Sequence, residues 1–423
     1  KMLFKKDIEN LAKYGEGEFF SENLEFNEII FNSKKIKPGD IFLPLKGKTH
    51  DGHDFISEAF SQGAICVVSE KKIPQKNFIL VENTNSFLRK IAKKQRDLFK
   101  GLVVGITGSN GKTTTKETIY KFLSSRLGQK SVYKSPGNYN NFFGLCFSLL
   151  ELKDSHQVGC FEIGTNNKGE IAELAEILQM DISMITNIGS AHLEGLKDIN
   201  GVANEKTDIF KFTKEGGECF GNIPKKYLKL AKEKSLGKKT FFSKNTSHLD
   251  LLKNSLRKIN SLLEIDNVSD IDLEKFVSKD IHVPGRFELK QSKFKALIID
   301  DSYNANPDSF LFAFEKIKKL NKSKKNINGK NFSNLKKICV MGIMGELGSK
   351  SDGLHKEIVE KASLIFDLVL AVDFKLEGCK ANVNFLERND IEDYLKDYLN
   401  EEFLIFFKGS RSVKMENIID NLI

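Results

Sequence analysis

Apolar runs alternate with amphipathic stretches along most of this chain, and the alternation predicts strands and helices taken in turn. Residues 102–106 are almost wholly apolar, as in a strand buried on both faces. A glycine-punctuated turn follows, and from about Thr113 the apolar positions recur at helical spacing. Similar runs at 159–164, 181–189, 296–301, 337–342, 366–372 and 403–411 predict further strands, with helical stretches such as 145–150 between them. Strands alternating with helices make a doubly wound α/β architecture. Ahead of residue 98 lies a smaller α/β pattern: a turn at 37–40, a strand at 41–45, an amphipathic stretch at 56–62 and a strand at 63–68. Residues 87–99 read as a basic helical connector whose charges form a solvated face. The Lys- and Asn-rich stretch 321–337 reads as an exposed, mobile insertion. Three α/β domains are expected, at 1–98, 99–281 and 282–423.

The turn after the run at 102–106 carries the clearest chemistry. Gly108, Ser109, Asn110, Gly111, Lys112, Thr113 and Thr114 place a GK[ST] step where a strand gives way to a helix. Backbone N–H groups at such a helix start cradle phosphate oxygens, Lys112 reaches the outer phosphates, and the Thr113 hydroxyl sits on Mg²⁺. Ile106 stands where the usual first glycine would be, so the pattern departs from the common form by one position. The plainer alternative is a Gly-rich turn with a surface lysine. The strand-to-helix context favours ATP. Glu162 ends a predicted strand, at the edge where ligands sit in a parallel sheet, so it reads as a metal ligand or as a local cap. His192 and Lys206 read on spacing alone as structural and surface residues. Arg286 is presented by a Pro-Gly turn as a phosphate contact or as a salt bridge at a domain boundary, and Asp300 and Asp301 end a strand.

Composition narrows the function classes. With 40% apolar and 29% charged residues the chain is ordinary for a globular protein. Its net charge of +9 comes from lysines spread along the whole length, which suits anionic small substrates and outlines no nucleic-acid groove. The six cysteines form no CxxC and no metal spacing, as expected of free thiols in a reducing compartment. No apolar run reaches membrane-spanning length and residues 1–6 hold no signal-peptide core, so the expected location is cytoplasmic, without membrane insertion. No GxGxxG fingerprint is present, and no NAD is expected.

Taken together, 107–113, 137–141, 186–194, 300–307 and 408–411 resemble the Mur ligases of bacterial cell-wall synthesis. They most resemble the branch that joins D-alanyl-D-alanine to a UDP-N-acetylmuramoyl-tripeptide. The resemblance implies three domains: one for the UDP-substrate, a central ATPase-type domain and a Rossmann-like C-terminal domain. It also implies ATP-driven amide formation through an acyl phosphate, by a monomer. Lys112, His192, Lys206 and Arg286 become catalytic. Residues 108–114, Arg286 and Asp301 become ATP contacts. Thr113, Glu162, His192 and Lys206 hold two Mg²⁺ ions, with Lys206 carbamylated. Asn138, Asn141 and Asn304 meet the substrate, and Ser33, Lys46 and Gly47 its uridine end. Two departures stand out. Asn32-Ser33-Lys34 replaces an acidic-Ser/Thr-Arg motif, and a His-Asn-x-x-Asn helix has only 247–252 as its nearest counterpart. Adenine recognition then falls to the backbone.

Overall fold

The structure, a computed structural model, describes residues 3–47, 51–74, 77–137, 139–243, 248–266, 268–278, 283–323, 326–327 and 329–423. The run at 102–106 forms the strand Leu102–Thr107, in a six-stranded parallel sheet between Met180–Ile185 and Val158–Glu162. The chain leaves it through the helix Lys112–Leu127, reaches the edge strand Val132–Lys134, returns at Val158–Glu162, and crosses to Met180–Ile185 on the other side. That reversal makes a switch point at the carboxyl end of Leu102–Thr107, where an open α/β sheet binds ligands. Val104, Ile106, Cys160, Ile182 and Met184 pack on one side with Ile119 and Leu123 of the loop helix and Leu252 and Leu256 of a helix His248–Leu262. Three strands of this sheet escape the apolar-run reading: Val132–Lys134, Thr213–Asn222 and Lys238–Phe242. Two of them are edges, half-exposed and therefore rich in polar residues. The third is interrupted by a register shift between Thr213 and Glu218.

The N-terminal unit is a five-stranded sheet in the order Glu18–Phe20, Phe78–Leu80, Cys66–Ser69, Ile41–Phe42, Ile29–Ile30. The predicted connector is the helix Thr84–Leu98, and the expectation that its charges are all solvated is overturned. Arg96 is buried and donates to the carbonyls of Leu178 and Gln179, each at 2.6 Å, while Gln95 donates to Leu152 O at 2.8 Å. Phe87, Leu88, Ile91 and Ala92 join one apolar cluster that spans the N-terminal sheet and one face of the central sheet. The helix therefore welds two units together. A buried guanidinium is tolerated there because backbone carbonyls meet its N–H groups.

The third sheet runs Glu288–Gln291, Leu297–Asp300, Phe403–Lys408, Lys336–Gly342, Leu368–Val372, Val383–Leu386, with only the first pair antiparallel. The stretch 321–337 is not a free loop along its described length. Asn326–Ile327 pairs with Lys330–Asn331, and Phe332 and Leu335 are buried in the domain core. Its Lys and Asn content hid those two apolar anchors. Five of the six cysteines are buried and all are free thiols. No described helix is long and apolar enough to cross a membrane.

Candidate active site

Gly108 and Gly111 shape the phosphate loop. Gly111 lies at φ +78 and starts the loop helix, and a Cβ on Gly108 would collide with the Thr186 hydroxyl. Ser109 and Asn110 are tied to the next strand's loop: their N–H groups donate to Asn187 O and Oδ1 at 3.2 and 2.9 Å, and Ser109 Oγ donates to Gly189 O at 3.0 Å. These bonds fix the loop's shape. The first-turn amides of Lys112, Thr113 and Thr114 have no intrahelical acceptor, as at every helix start, and remain for phosphate oxygens. Lys112 Nζ donates to Gly108 O at 2.8 Å. Burial pushes its pKa below the usual lysine range, with Glu162 opposing and Arg286 reinforcing that shift.

Thr113 Oγ1 donates to Glu162 Oε2 at 2.9 Å, and Asn140 Nδ2 holds the other oxygen at 3.0 Å. An octahedral Mg²⁺ with bonds of about 2.1 Å sets neighbouring ligand oxygens about 2.9 Å apart, so this pair fits one such ion. Beneath it, the fully buried Lys116 donates to the carbonyls of Ser135 and Gly137 at 2.8 and 3.0 Å, 3.9 Å from Glu162 Oε2. Lys116 and Asn140 thus position the carboxylate, and their only sequence signal was location, one turn beyond Lys112 and inside 137–141. Among the described residues no three His, Cys, Asp or Glu side chains cluster for a metal. A site completed by phosphate and water suits Mg²⁺ better than a zinc cage does.

Lys206 lies in the helix Ile199–Thr207, fully buried, and its Nζ has no hydrogen-bond partner. Burial, and then Lys112, push its pKa well down, with Glu205 opposing that shift. Its neighbour Glu205 makes no hydrogen bond to it; the Glu205 oxygens accept the Gly169 and Ile171 N–H groups at 2.7 and 2.8 Å. A fully buried amine with no hydrogen-bond partner, within the field of Lys112, fits a carbamylation site. His192 caps the short helix Leu193–Leu196 at φ +57, with Nδ1 against the Glu346 carboxylate of the C-terminal domain. Burial lowers its pKa, and the Glu346 bond works against that shift.

The C-terminal domain's predicted site residues are held largely by contacts within that domain, while Asp308 and Asn306 reach the central domain. Arg286 stacks on Tyr303 at 4.0 Å, and its buried Nε has no partner. Asp301 is committed to Lys408 Nζ at 2.6 Å and to the Phe287 N–H at 3.1 Å, and Asn304 Oδ1 accepts from the Ala305 N–H at 2.8 Å. Asp308 accepts from the Ser190 N–H. Asn306 caps the helix Pro307–Lys322 and exchanges amide bonds with Asn110, at 2.9 Å in one direction and 3.3 Å in the other. Asn306→Ala is expected to cost about 1 kcal/mol through the lost cap alone. Asn306→Asp keeps the cap and loses the donor to Asn110. A thermal-unfolding cycle with Asn110→Ala is expected to return a coupling of about 0.5–1.5 kcal/mol, and a coupling of zero would show the contact to be idle.

His248 opens its helix against the phosphate loop, with Nε2 at 3.0 Å from Thr115 Oγ1. Protein crowds the ring and burial lowers its pKa to about 4. The unfolded value is about 6.5, so the neutral ring's contribution is complete above pH 6.5 and is lost as pH falls toward 4. At most about 3 kcal/mol rides on this window. His248→Gln is expected to flatten the Tm-against-pH curve there relative to the parent protein, and parallel curves would refute the assignment. At the N-terminal unit, Ser33 Oγ donates to Glu58 at 2.7 Å, Lys46 pairs with Glu70 at 2.5 Å, and Gly47 is exposed. Asn141 caps the helix Phe142–Leu150, and Asn138 lies outside the described residues.

Sequence families match this chain in three consecutive stretches. They are described as "Mur ligase family, catalytic domain" at 25–96, "Mur ligase middle domain" at 106–290 and "Mur ligase, glutamate ligase domain" at 285–411. The UDP-N-acetylmuramoyl-tripeptide–D-alanyl-D-alanine ligase of Rickettsia prowazekii (strain Madrid E) is 30% identical over 447 residues, covering 95% of this chain and 96% of its own. The chain belongs to the Mur ligase family. The Bacillus subtilis (strain 168) ligase of the same name is 28% identical over 467 residues, spanning 100% of this chain and 99% of its own. The fold of this Mur ligase matches MurF from Thermotoga maritima in complex with ADP, with TM-score 0.77 and 28% identity over 93% of this chain and 96% of that one. It also matches MurF from Acinetobacter baumannii, with TM-score 0.85 over 100% of this chain and 99% of that one, at 24% identity. The three sheets and the phosphate-loop switch point are therefore the Mur ligase architecture.

Proposed function

We propose that this Mur ligase joins D-alanyl-D-alanine to UDP-N-acetylmuramoyl-tripeptide, using ATP and releasing ADP and phosphate, as a cytoplasmic monomer in peptidoglycan precursor synthesis. The observation that carries this reading is one of extent. Relatives bearing that name match the chain end to end, and the chain carries Lys112 and Thr113 on the phosphate loop, Glu162 at a neighbouring strand end, His192 ahead of a short helix and Lys206 in the buried helix Ile199–Thr207.

Carboxylate and amine do not condense usefully in water, so the tripeptide carboxylate attacks the γ-phosphorus of ATP and ADP departs. The D-alanyl-D-alanine amine then attacks the acyl-phosphate carbonyl, loses its proton, and phosphate leaves the tetrahedral intermediate. Lys112 and the first-turn amides hold the ATP phosphates, so the first step is one of positioning and charge neutralisation. Arg286 extends the positive field from the C-terminal domain, and Asp301 would meet the ribose only by exchanging its bonds to Lys408 and the Phe287 N–H. Mg²⁺, when bound, would be held by Thr113 and Glu162 and by His192 with a carbamylated Lys206, and would supply charge neutralisation at the phosphates. Carbamylation joins the Lys206 amine to CO₂ and releases one proton, replacing a desolvated amine with an anionic oxygen ligand. Groups drawn from two domains complete the site only when the domains close, which shields the acyl phosphate from water.

The deciding experiment is phosphate release from ATP with Mg²⁺, with both substrates and with each omitted in turn. Release requiring both, with a UDP-pentapeptide product by mass, supports the reading. Release with a UDP-dipeptide and a single diamino acid assigns the chain to the preceding ligation. Retained ATP binding with no release in any mixture would make it a nucleotide-binding regulator.

A further inference from the structure

We propose that Glu346 is a positioning residue that sets the His192 imidazole for a divalent cation, and does so only when the central and C-terminal domains are closed. The proposal rests on the reading of His192 as a metal ligand. Glu346 belongs to the loop that follows the strand Lys336–Gly342 and is docked onto the central domain twice. Its carboxylate meets His192 Nδ1, and its carbonyl accepts the Glu194 N–H at 3.0 Å. The loop itself is pinned, because the Met344 N–H donates to His355 Nε2 at 2.8 Å and Met344 and Leu347 are buried.

Backbone strain marks the same point on both sides. His192 at φ +57 and Glu346 at φ +61 are both non-glycine residues in the left-handed region. Such conformations persist where the surroundings over-determine them, and they gather at functional sites. With Nδ1 set against a carboxylate, Nε2 is the ring nitrogen left to meet a cation. That is the arrangement by which a carboxylate–histidine pair fixes the tautomer and ring angle for a metal. Here the carboxylate comes from another domain, so opening the domains removes it and closing restores it. The Glu346 side chain is about half exposed (49%), and a rim ion pair of this kind adds little to stability. A purely structural role therefore predicts little change in anything when it is removed.

The test uses the full-length enzyme and its Glu346→Ala and Glu346→Gln variants, with Glu194→Ala as control. Mn²⁺ binding is followed by electron paramagnetic resonance with a non-hydrolysable ATP analogue and UDP-N-acetylmuramoyl-tripeptide present. The parent protein is expected to bind two ions. In Glu346→Ala the weaker ion should loosen by about 10- to 100-fold, with the tighter ion, the KM for ATP and the Tm unchanged. Its kcat should fall and recover as Mg²⁺ is raised. Glu346→Gln, which keeps an acceptor oxygen, should lose less, and Glu194→Ala nothing. Equal Mn²⁺ affinities in all variants would overturn the proposal. A parent protein that binds a single ion would overturn the two-ion reading of His192 beneath it, while leaving the ligase assay free to succeed.

Discussion

Lys112→Met is expected to lower kcat by about 100- to 1000-fold, the loss typical of removing one preorganised charge from a developing anion. The side chain is crowded by protein, its amine rests on the Gly108 carbonyl, and its field is shared with Glu162 and Arg286. The side chain is only partly exposed, so its charge is less screened than in bulk water, which makes it effective on the transferring phosphoryl group. Methionine keeps the stem's volume and removes only the ammonium. The fold should therefore survive, because Ser109 and Asn110 hold the loop through Asn187 and Gly189 independently of Lys112. Phosphate release would be measured beside a melting curve. Activity within a few-fold of the parent, with an unchanged Tm, would remove Lys112 from the phosphate site.

The second large effect runs in opposite directions for activity and stability. Lys206→Met is expected to abolish ligation while raising the Tm. A buried amine without a hydrogen-bond partner opposes folding by about 1–3 kcal/mol, and a methionine in its place carries no such penalty. For a domain of this size each kcal/mol moves the Tm by about 2–4 °C. A buried group that costs stability is the kind of site where function, rather than packing, accounts for the side chain. If the amine acts as a carbamate, the parent protein should lose activity in CO₂-depleted buffer and regain it with bicarbonate, while Lys206→Met responds to neither. A bare, ordered lysine in a metal- and nucleotide-loaded structure would exclude the carbamate. A lowered Tm in Lys206→Met would show that the amine has a partner when folded.

Legibility followed burial. The strands Leu102–Thr107, Val158–Glu162, Met180–Ile185 and Phe403–Lys408 were readable because both faces of each are largely covered, which favours runs dominated by apolar residues. Glu288–Gln291 and Lys238–Phe242 were not readable, because an edge strand keeps one side in water and reads as polar. The basic stretch in Thr84–Leu98 misled for a related reason. Whether a guanidinium is solvated or seated on carbonyls is decided by residues more than eighty positions away, Leu178 and Gln179.

What the sequence determined alone was local. Gly108, Gly111, Lys112 and Thr113 form a phosphate loop through short-range backbone geometry, and Glu162 was placed beside it by ending the neighbouring strand. Which partners those groups meet was decided by tertiary structure. Lys206 is indistinguishable from a surface lysine until its helix is packed and no acceptor is found for its amine. Asn110 with Asn306, and His192 with Glu346, are joined only by the approach of two separate sheets. Hydrogen bonds and ion pairs act over a few ångströms in space and leave no mark on spacing along the chain. Their residues became visible as a site only when the fold brought them within that range.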